Sequence, residues 1–257
     1  MTQIHPTSVI DPKAQIGEGT EIGPFCHIGA DVVLGDSCRL LGHVTICGPS
    51  VIGAENIFYP YTSIGQRSQD LKYAGEPTHL AIGNRNSFRE FCTVNRGTAP
   101  GAKTVIGDDG NFLAYSHIAH DCTVGNHVIF SNNGTLAGHV IVEDHAVIGG
   151  LSGVHQFCRI GRHSIIGGCT KIVQDVPPFM IADGNPAEVR GINQIGLERR
   201  GFAPEDTRAL REAYRLLYRS NLNVRQACEK IGTELGRSDV LDYLVAFVES
   251  SQRGIIR

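Results

Sequence analysis

The sequence lacks the features that would place the chain in a membrane, on nucleic acid or in a secretory pathway. It contains no uninterrupted run of about 18 apolar residues, the length that a membrane-spanning helix requires. Its 23 Lys and Arg residues against 26 Asp and Glu residues give a net charge of -3, so the basic excess typical of nucleic-acid-binding proteins is missing. The first residues show no charged segment followed by an apolar one, as a leader would. We therefore expect a cytoplasmic protein that neither binds nucleic acid nor inserts into a membrane.

What the sequence does contain is a repeat of six residues. Of the 29 positions reached by steps of six from Ile4 to Ile172, 26 hold Ile, Leu, Val or Phe, and glycine follows 12 of these. A period of six fits neither an amphipathic helix nor an alternating strand. It is typical of a parallel β-helix, in which each repeat forms one short strand and one corner, so that three repeats make a triangular coil. We expect the glycines to supply the unusual backbone angles of the corners.

The repeat is interrupted twice before it ends. Its three exceptions fall in two short stretches, and the aliphatic phase resumes after each, which predicts loop excursions at about 66–81 and 97–104. The repeat stops at Val176, Pro177 and Pro178, and from about Pro204 the apolar residues follow a helical spacing instead. We therefore predict a hexapeptide-repeat β-helix over residues 1–190 and a small α-helical domain over 191–257. The helices expected in this domain are one from about Pro204, one over 223–236 and one over 238–251.

The eight cysteines follow the repeat and form no CxxC or other metal-binding spacing. Five of them share one register, four residues after the aliphatic position: Cys26, Cys38, Cys92, Cys122 and Cys158. We interpret them as small core residues without a redox or zinc function.

Histidines gather where the coil should bring distant residues together. His120, Gly138 and Gln156 are separated by one coil each, so they should lie one above another, and Asp121 and His139 should form a second stack. His117 and His155 lie close to these positions in the sequence. The repeat therefore predicts a polar cluster on one face of the prism.

This cluster suits acyl transfer. A histidine beside a carboxylate can act as a general base, and the Gly138 N–H can stabilise an oxyanion. Asp121 directly follows His120, and neighbouring side chains on a strand diverge, so the pair requires a turn of the backbone. Plain surface histidines are one alternative. Zinc ligation is another, but the third histidine of hexapeptide-repeat carbonic anhydrases is replaced here by Ile160, so we discount a zinc site.

Several motifs together resemble one family. They are His117–Asp121, Leu136–His139, Val154–Phe157, Gln69–Tyr73, Arg199–Phe202 and Arg253–Arg257. By these motifs the chain is similar, over essentially its whole length, to the UDP-N-acetylglucosamine O-acyltransferases that open lipid A synthesis in Gram-negative bacteria. The resemblance implies a left-handed parallel β-helix and a homotrimer with active sites between subunits. It also implies transfer of an (R)-3-hydroxyacyl chain from acyl carrier protein to the sugar 3-hydroxyl, without a cofactor.

The resemblance further implies roles for individual residues. His120 would be the general base, Asp121 would orient it, and the Gly138 N–H would hold the oxyanion. The residues expected around the sugar and acyl chain are His117, His139, His155 and Gln156. From the first excursion, the residues expected to contact substrate are Gln69, Asp70 and Lys72. The residues expected to bind the nucleotide are Asn193, Arg199 and Arg200. Gly168 would leave the acyl groove open to a chain of about fourteen carbons rather than ten. Ile195 and Asn95 depart from the family pattern, which often has an acidic residue and a histidine there.

Other functions stay open at this point. The acceptor could be the 3-amino analogue or another nucleotide sugar, and the chain could be a non-catalytic β-helix that binds ligands or scaffolds partners. An acidic carrier protein would need a basic surface, for which the tail offers the arginines Arg208, Arg211, Arg215 and Arg219.

Overall fold

The structure is a computed structural model that describes residues 1–257. The strands are β1 (Gln3–Ile4), β2 (Val9–Ile10), β3 (Gln15–Ile16), β4 (Glu21–Ile22), β5 (His27–Ile28), β6 (Val32–Leu34), β7 (Arg39–Leu40), β8 (Thr45–Ile46), β9 (Ser50–Ile52), β10 (Ile57–Phe58), β11 (Ser63–Gln66), β12 (His79–Ile82), β13 (Ser87–Phe88), β14 (Thr93–Asn95), β15 (Lys103–Ile106), β16 (Asn111–Phe112), β17 (His117–Ile118), β18 (Thr123–Val124), β19 (Ile129–Phe130), β20 (Thr135–Leu136), β21 (Ile141–Val142), β22 (Val147–Ile148), β23 (Gly153–Val154), β24 (Arg159–Ile160), β25 (Ile165–Ile166), β26 (Lys171–Ile172), β27 (Met180–Asp183) and β28 (Glu188–Ile192). The helices are α1 (Gln194–Arg199), α2 (Pro204–Tyr218), α3 (Val224–Glu234) and α4 (Asp239–Glu249).

The strands form three parallel sheets that are the three faces of one prism. From β1 to β26 the strands pair with those three positions away along the chain, so β1, β4 and β7 lie in an 11-stranded sheet, β2, β5 and β8 in a 9-stranded sheet, and β3, β6 and β9 in an 8-stranded sheet. The register of β17 and β20, with Ile118 beside Leu136, gives the predicted coil of three repeats. The chain is a left-handed parallel β-helix, which confirms the predicted fold class.

The repeated aliphatic residues fill the inside of the prism. One column of this core is aromatic: Phe58, Phe88, Phe112 and Phe130 are all buried, and neighbouring rings lie 5.2, 4.7 and 5.3 Å apart between centroids. The column runs along the 11-stranded sheet, because its four residues end β10, β13, β16 and β19.

The expectation for the repeat glycines was wrong. Most of them have ordinary backbone angles, and the positive φ values at the corners fall on non-glycine residues such as Asp121 (60°) and His139 (61°). Gly35 is needed for a different reason, since a Cβ there would lie 2.6 Å from the carbonyl carbon of Gly53 on the next coil. Gly65 is the exception, with a φ of 73°. The glycines therefore allow close contact between coils more than they supply turn angles.

The chain leaves the strands twice, between β11 and β12 and between β14 and β15. The first excursion spans 67–78 and the second 96–102. The strands on either side keep the register of the coil, with Leu80 of β12 beside Thr104 of β15.

The C-terminal segment packs against the last coils. Strands β27 and β28 form an antiparallel pair, and the four helices follow. Tyr243 of α4 donates a hydrogen bond to Glu143 at 2.8 Å, and the Arg159 guanidinium lies over the ring of Phe247. Ile255 at the chain end is also buried. None of the helices has the length and apolar character needed to cross a membrane.

Candidate active site

The histidine cluster lies at the corner where the 9-stranded sheet passes into the 8-stranded sheet. His120 and Asp121 lie between β17 and β18, Gly138 and His139 between β20 and β21, and Gln156 between β23 and β24. The registers of these strands place each group one coil above the other. The structure therefore brings together the residues that the sequence spacing predicts to be neighbours.

His120 and Asp121 form a hydrogen-bonded pair in a nearly closed environment. Nδ1 of His120 lies 2.8 Å from Oδ2 of Asp121, and the two side chains are only 11% and 10% exposed. The positive φ of Asp121 turns the backbone, so adjacent side chains can meet. The second carboxylate oxygen, Oδ1, accepts the Thr98 N–H at 3.2 Å, and Thr104 Oγ1 accepts the Asp121 N–H at 2.9 Å.

Gly138 lies directly beside the free edge of the His120 ring. A Cβ on Gly138 would be 2.3 Å from Cε1 and 2.6 Å from Nε2 of His120, so the ring occupies the space of a side chain. The Gly138 N–H makes no hydrogen bond within the chain. The N–H groups at this corner are also free at His120 and Gln156, so Gly138 is distinguished by its proximity to the imidazole. A proton acceptor and a free N–H donor therefore lie side by side.

His139 forms the second contact of the Asp121 carboxylate. Its Nε2 lies 3.7 Å from Oδ2 of Asp121, and its ring meets the His120 ring edge to face at 5.2 Å between centroids. Its other face stacks on Phe157 at 4.6 Å. Ligand atoms of His120, Asp121 and His139 lie within 4.8 Å of one another, close enough to share a metal ion. The expectation that the reaction uses no metal stays a prediction.

His117 lies on the strand that leads into the corner. Its Nδ1 is 2.7 Å from Oγ1 of Thr93, on the preceding coil. Burial lowers the pKa of His117, and the nearby His120 lowers it further. A neutral imidazole at this position can accept or donate a hydrogen bond to a bound ligand.

Two depressions lie on either side of the corner. On the 9-stranded face, a shallow groove of about 340 Å³ has small residues in its floor and His117 and His155 along it. On the 8-stranded face, a cavity of about 690 Å³ is lined by His139, Phe157 and Arg253, among others. His155 and Gln156 are both exposed beside the corner.

Gly168 lies further along the prism. It is exposed, and a Cβ there would contact only the Gly150 carbonyl, at 3.5 Å. A larger side chain at this position would therefore point into open space outside the coil.

The first excursion contacts the second, and the second contacts the His120–Asp121 pair, which we call the dyad. Gln69 and Lys72 are exposed, and the Lys72 N–H donates to Oδ1 of Asp70 at 2.9 Å. Oγ of Ser68 lies 2.7 Å from Oγ1 of Thr98, the residue whose N–H contacts Asp121. Ser68, Thr98 and the contact between them could not be predicted from the sequence, because loops outside the repeat have no register that predicts neighbours.

The residues expected on the nucleotide side lie elsewhere in the chain. Asn193 caps α1, since its Oδ1 accepts the Gly196 N–H at 3.1 Å and its Nδ2 donates to the His163 carbonyl at 2.8 Å. Arg199 and Arg200 are exposed at the end of the same helix. His163 lies between β24 and β25, at the corner on the opposite edge of the 8-stranded face. One repeat of extended chain, about 20 Å, separates the two corners, so a single chain does not bring these residues to His120.

The two positions that depart from the family pattern have different environments. Ile195 is exposed on α1. Asn95 is buried; its Nδ2 donates to the Arg67 carbonyl at 2.8 Å, whereas its Oδ1 has no partner. Asn95 therefore helps to anchor the base of the first excursion.

One protein family matches the C-terminal part of this chain, and individual known proteins are similar to it over essentially its whole length. A family described as Udp N-acetylglucosamine O-acyltransferase, Domain 2, matches residues 175–256. The acyl-[acyl-carrier-protein]--UDP-N-acetylglucosamine O-acyltransferases of Burkholderia lata and Herminiimonas arsenicoxydans are 50% and 45% identical, each over 100% of both chains. The solved UDP-N-acetylglucosamine acyltransferase of Bacteroides fragilis 9343 has a TM-score of 0.97 at 40% identity, over 99% of this chain and 100% of that chain. For the Francisella novicida enzyme the TM-score is 0.94 at 38% identity, over 99% and 94%.

Proposed function

Because this chain belongs to the family of acyl-[acyl-carrier-protein]--UDP-N-acetylglucosamine O-acyltransferases, we propose a mechanism in which its histidine corner carries out the transfer. The chain is an acyltransferase that moves an acyl group from acyl carrier protein to UDP-N-acetylglucosamine in lipid A synthesis. The observation that supports this mechanism best is the buried His120–Asp121 pair, whose free imidazole edge lies beside the Gly138 N–H.

In the proposed mechanism His120 acts first as base and then as acid. Nε2 takes the proton from the sugar 3-hydroxyl while that oxygen attacks the thioester carbonyl carbon. The Gly138 N–H donates to the oxyanion of the tetrahedral intermediate. Collapse of this intermediate breaks the carbon–sulfur bond, and the His120 imidazolium returns the proton to the carrier-protein thiolate. Asp121 keeps Nδ1 protonated and stabilises the imidazolium.

The surrounding residues would hold the two substrates. His117 and His155 line the groove on the 9-stranded face, where the apolar floor suits an (R)-3-hydroxyacyl chain. His139 and Gln156 lie next to the dyad and would contact the sugar. From the first excursion, Gln69, Asp70 and Lys72 would contribute polar contacts, with the Lys72 ammonium suited to a phosphate.

A homotrimer would complete the site. Asn193, Arg199 and Arg200 lie at another corner of the prism, so a neighbouring subunit would have to present them to the dyad of this one. The two exposed guanidinium groups suit a pyrophosphate, and Asn193 would fix the helix that carries them.

The acidic carrier protein would bind a basic surface beside this helix. Arg208 and Arg211 line a cavity of about 360 Å³ there and belong to the surface that we assign to the carrier protein.

The same proposal covers the place of the reaction and the length of the acyl chain. We assign the reaction to the cytoplasm, because a carrier protein and a nucleotide sugar are both soluble substrates. Since Gly168 leaves the space beside the coil open, we expect a chain of about fourteen carbons to be preferred over one of ten.

The test is an assay with purified protein and a series of 3-hydroxyacyl carrier proteins. UDP-N-acetylglucosamine and its 3-amino analogue are offered as separate acceptors, and products are identified by mass spectrometry. We expect an ester of the ordinary sugar, formed fastest from the longer donors. Product formed only with the 3-amino analogue would show that the amino sugar, and not UDP-N-acetylglucosamine, is the acceptor. A preference for donors of ten carbons would contradict the role of Gly168. No product from any pair would contradict the function.

A further inference from the structure

We propose that Ser68 and Thr98 are positioning residues that fasten the first excursion to the His120–Asp121 dyad. Neither residue contacts the reacting atoms in the proposed mechanism. Their role would be to make the orientation of the catalytic carboxylate depend on the loop that holds Asp70 and Lys72. This inference rests on the proposed function and adds residues outside the repeat to it.

Hydrogen bonds to the side chain and to the backbone N–H of Thr98 connect the loop to the base. Oγ of Ser68 accepts the Asp70 N–H at 3.1 Å and lies 2.7 Å from Oγ1 of Thr98. The Thr98 N–H donates to Oδ1 of Asp121 at 3.2 Å, and Oδ2 of Asp121 bonds Nδ1 of His120 at 2.8 Å. Ser68 is only 5% exposed, so water is a poor substitute for the Thr98 hydroxyl.

The other contacts between the two excursions lie away from the dyad. The Arg96 N–H donates to the Gln66 carbonyl at the base of the loops, and the Gly101 N–H donates to the Pro77 carbonyl at their far side. These backbone bonds can hold the loops together without fixing Thr98. The Ser68–Thr98 hydroxyl pair, in contrast, holds Thr98 itself, the residue whose N–H contacts Asp121.

The position of Thr98 matters because two histidines face the same carboxylate. Oδ2 of Asp121 lies 2.8 Å from Nδ1 of His120 and 3.7 Å from Nε2 of His139. The Thr98 N–H holds the other oxygen and so resists rotation of the carboxylate toward His139. When this hold is weakened, we expect Asp121 to spend less time beside His120. The charged or titratable groups that face the His120 ring are Asp121, His139 and His117.

The experiment compares Thr98→Val, Ser68→Ala and the double variant in steady-state kinetics over a range of pH. Each single variant should lower kcat about 10-fold, the effect expected of one buried hydrogen bond. The double variant should be no worse than Ser68→Ala alone, because Ser68→Ala already removes the bond to Thr98 together with the bond to the Asp70 N–H. The acid limb of kcat/KM should move to lower pH, because an imidazolium that loses its carboxylate partner gives up its proton more readily. Thr98→Ser keeps the hydroxyl, so its kcat and the position of its acid limb should match those of the unaltered protein.

Matched controls come from the first coils, far from the dyad. Thr20 and Ser8 each make two hydrogen bonds through their hydroxyl groups. Thr20→Val and Ser8→Ala should therefore lower the denaturation midpoint while leaving kcat and the acid limb unchanged.

Three results would overturn the inference: normal kinetics in Thr98→Val, a lower kcat without movement of the acid limb, or single effects that multiply in the double variant. Failure of the unaltered protein to turn over would contradict the proposed function instead.

Discussion

Single residues around the dyad leave almost no freedom to the His120 ring. Asp121 holds Nδ1, and Gly138 is so close to the ring that a Cβ there would lie 2.3 Å from Cε1 and 2.6 Å from Nε2. The neighbourhood of these three residues could be predicted from the sequence, because they fall on fixed positions of an 18-residue coil. Their hydrogen bond could not, since it depends on the positive φ of Asp121, which a non-glycine residue seldom adopts.

Gly138→Ala should lower kcat strongly without unfolding the protein. The added methyl group would overlap Cε1 and Nε2 of His120, so the imidazole must move away from the attacking hydroxyl. We expect a loss of about 100-fold or more, similar to the loss of an oxyanion donor. Gly191→Ala is the control, since a Cβ there meets nothing within 4 Å. Steady-state kinetics and circular dichroism of both variants test this, and full activity of Gly138→Ala would contradict the proposed geometry.

His163 should make folding stability depend on pH. Its Nδ1 is buried without a partner, it stacks on His145 at 4.6 Å, and burial lowers its pKa from 6.5 to about 4. Between these values the unfolded chain binds more protons than the folded one. Stability is therefore fully present above pH 6.5 and is lost as the pH falls toward 4. The slope for this residue is at most about 1.4 kcal/mol per pH unit.

Urea denaturation of His163→Gln at several pH values measures this contribution. The variant should lose part of the slope, while His145 and His117, whose pKa values are also lowered, should still contribute to what is left. His27→Gln, at an exposed position, is the control and should keep the slope. An unchanged slope in His163→Gln would contradict the prediction.

At the scale of the elements, the six-residue period predicted the strands, the coil and the inward columns because each depends only on spacing. The two excursions have no such period. The sequence showed where the phase was interrupted, but the Ser68–Thr98 pair that joins the excursions depends on side chains in irregular backbone. The expected role of the glycines also failed. Contact between coils is a property of the stacked structure, as the 2.6 Å approach at Gly35 shows.

The aromatic column should be the most sensitive part of the core. Phe88 is fully buried between Phe58 and Phe112, at 5.2 and 4.7 Å between ring centroids. Phe88→Ala leaves a cavity in a stack that cannot collapse along the prism, and we expect a loss of about 3–5 kcal/mol of unfolding free energy. Phe88→Leu refills most of the volume and should lose clearly less. Chemical denaturation measures both, and equal midpoints for Phe88→Ala and the unaltered protein would contradict the packing described here.

At the scale of the whole molecule, one chain holds the two halves of the proposed site at different corners. The sequence alone could not show this, because the helical tail has no register relative to the coils. Its docking depends on contacts such as Tyr243 with Glu143 and the Asn193 side chain with the His163 carbonyl.

In the proposed homotrimer, mixed trimers should recover activity that neither parent has. One parent bears His120→Ala, and the other bears both Arg199→Ala and Arg200→Ala. When differently tagged subunits are co-expressed, some trimers contain one site with an intact dyad and an intact arginine pair. We expect these to show about one third or less of normal activity. Mixed trimers no more active than the parents would place both halves of the site in one subunit.

The most direct test of the account is the rate of acyl-sugar formation by His120→Ala, followed by mass spectrometry under single-turnover conditions. We expect a loss of about 100-fold or more relative to the unaltered protein, because His120 is the imidazole that lies against Gly138 and takes the hydroxyl proton in the proposed mechanism. Nucleotide-sugar binding and assembly should be retained. Undiminished product from His120→Ala would contradict the assignment of the general base and the mechanism built on it.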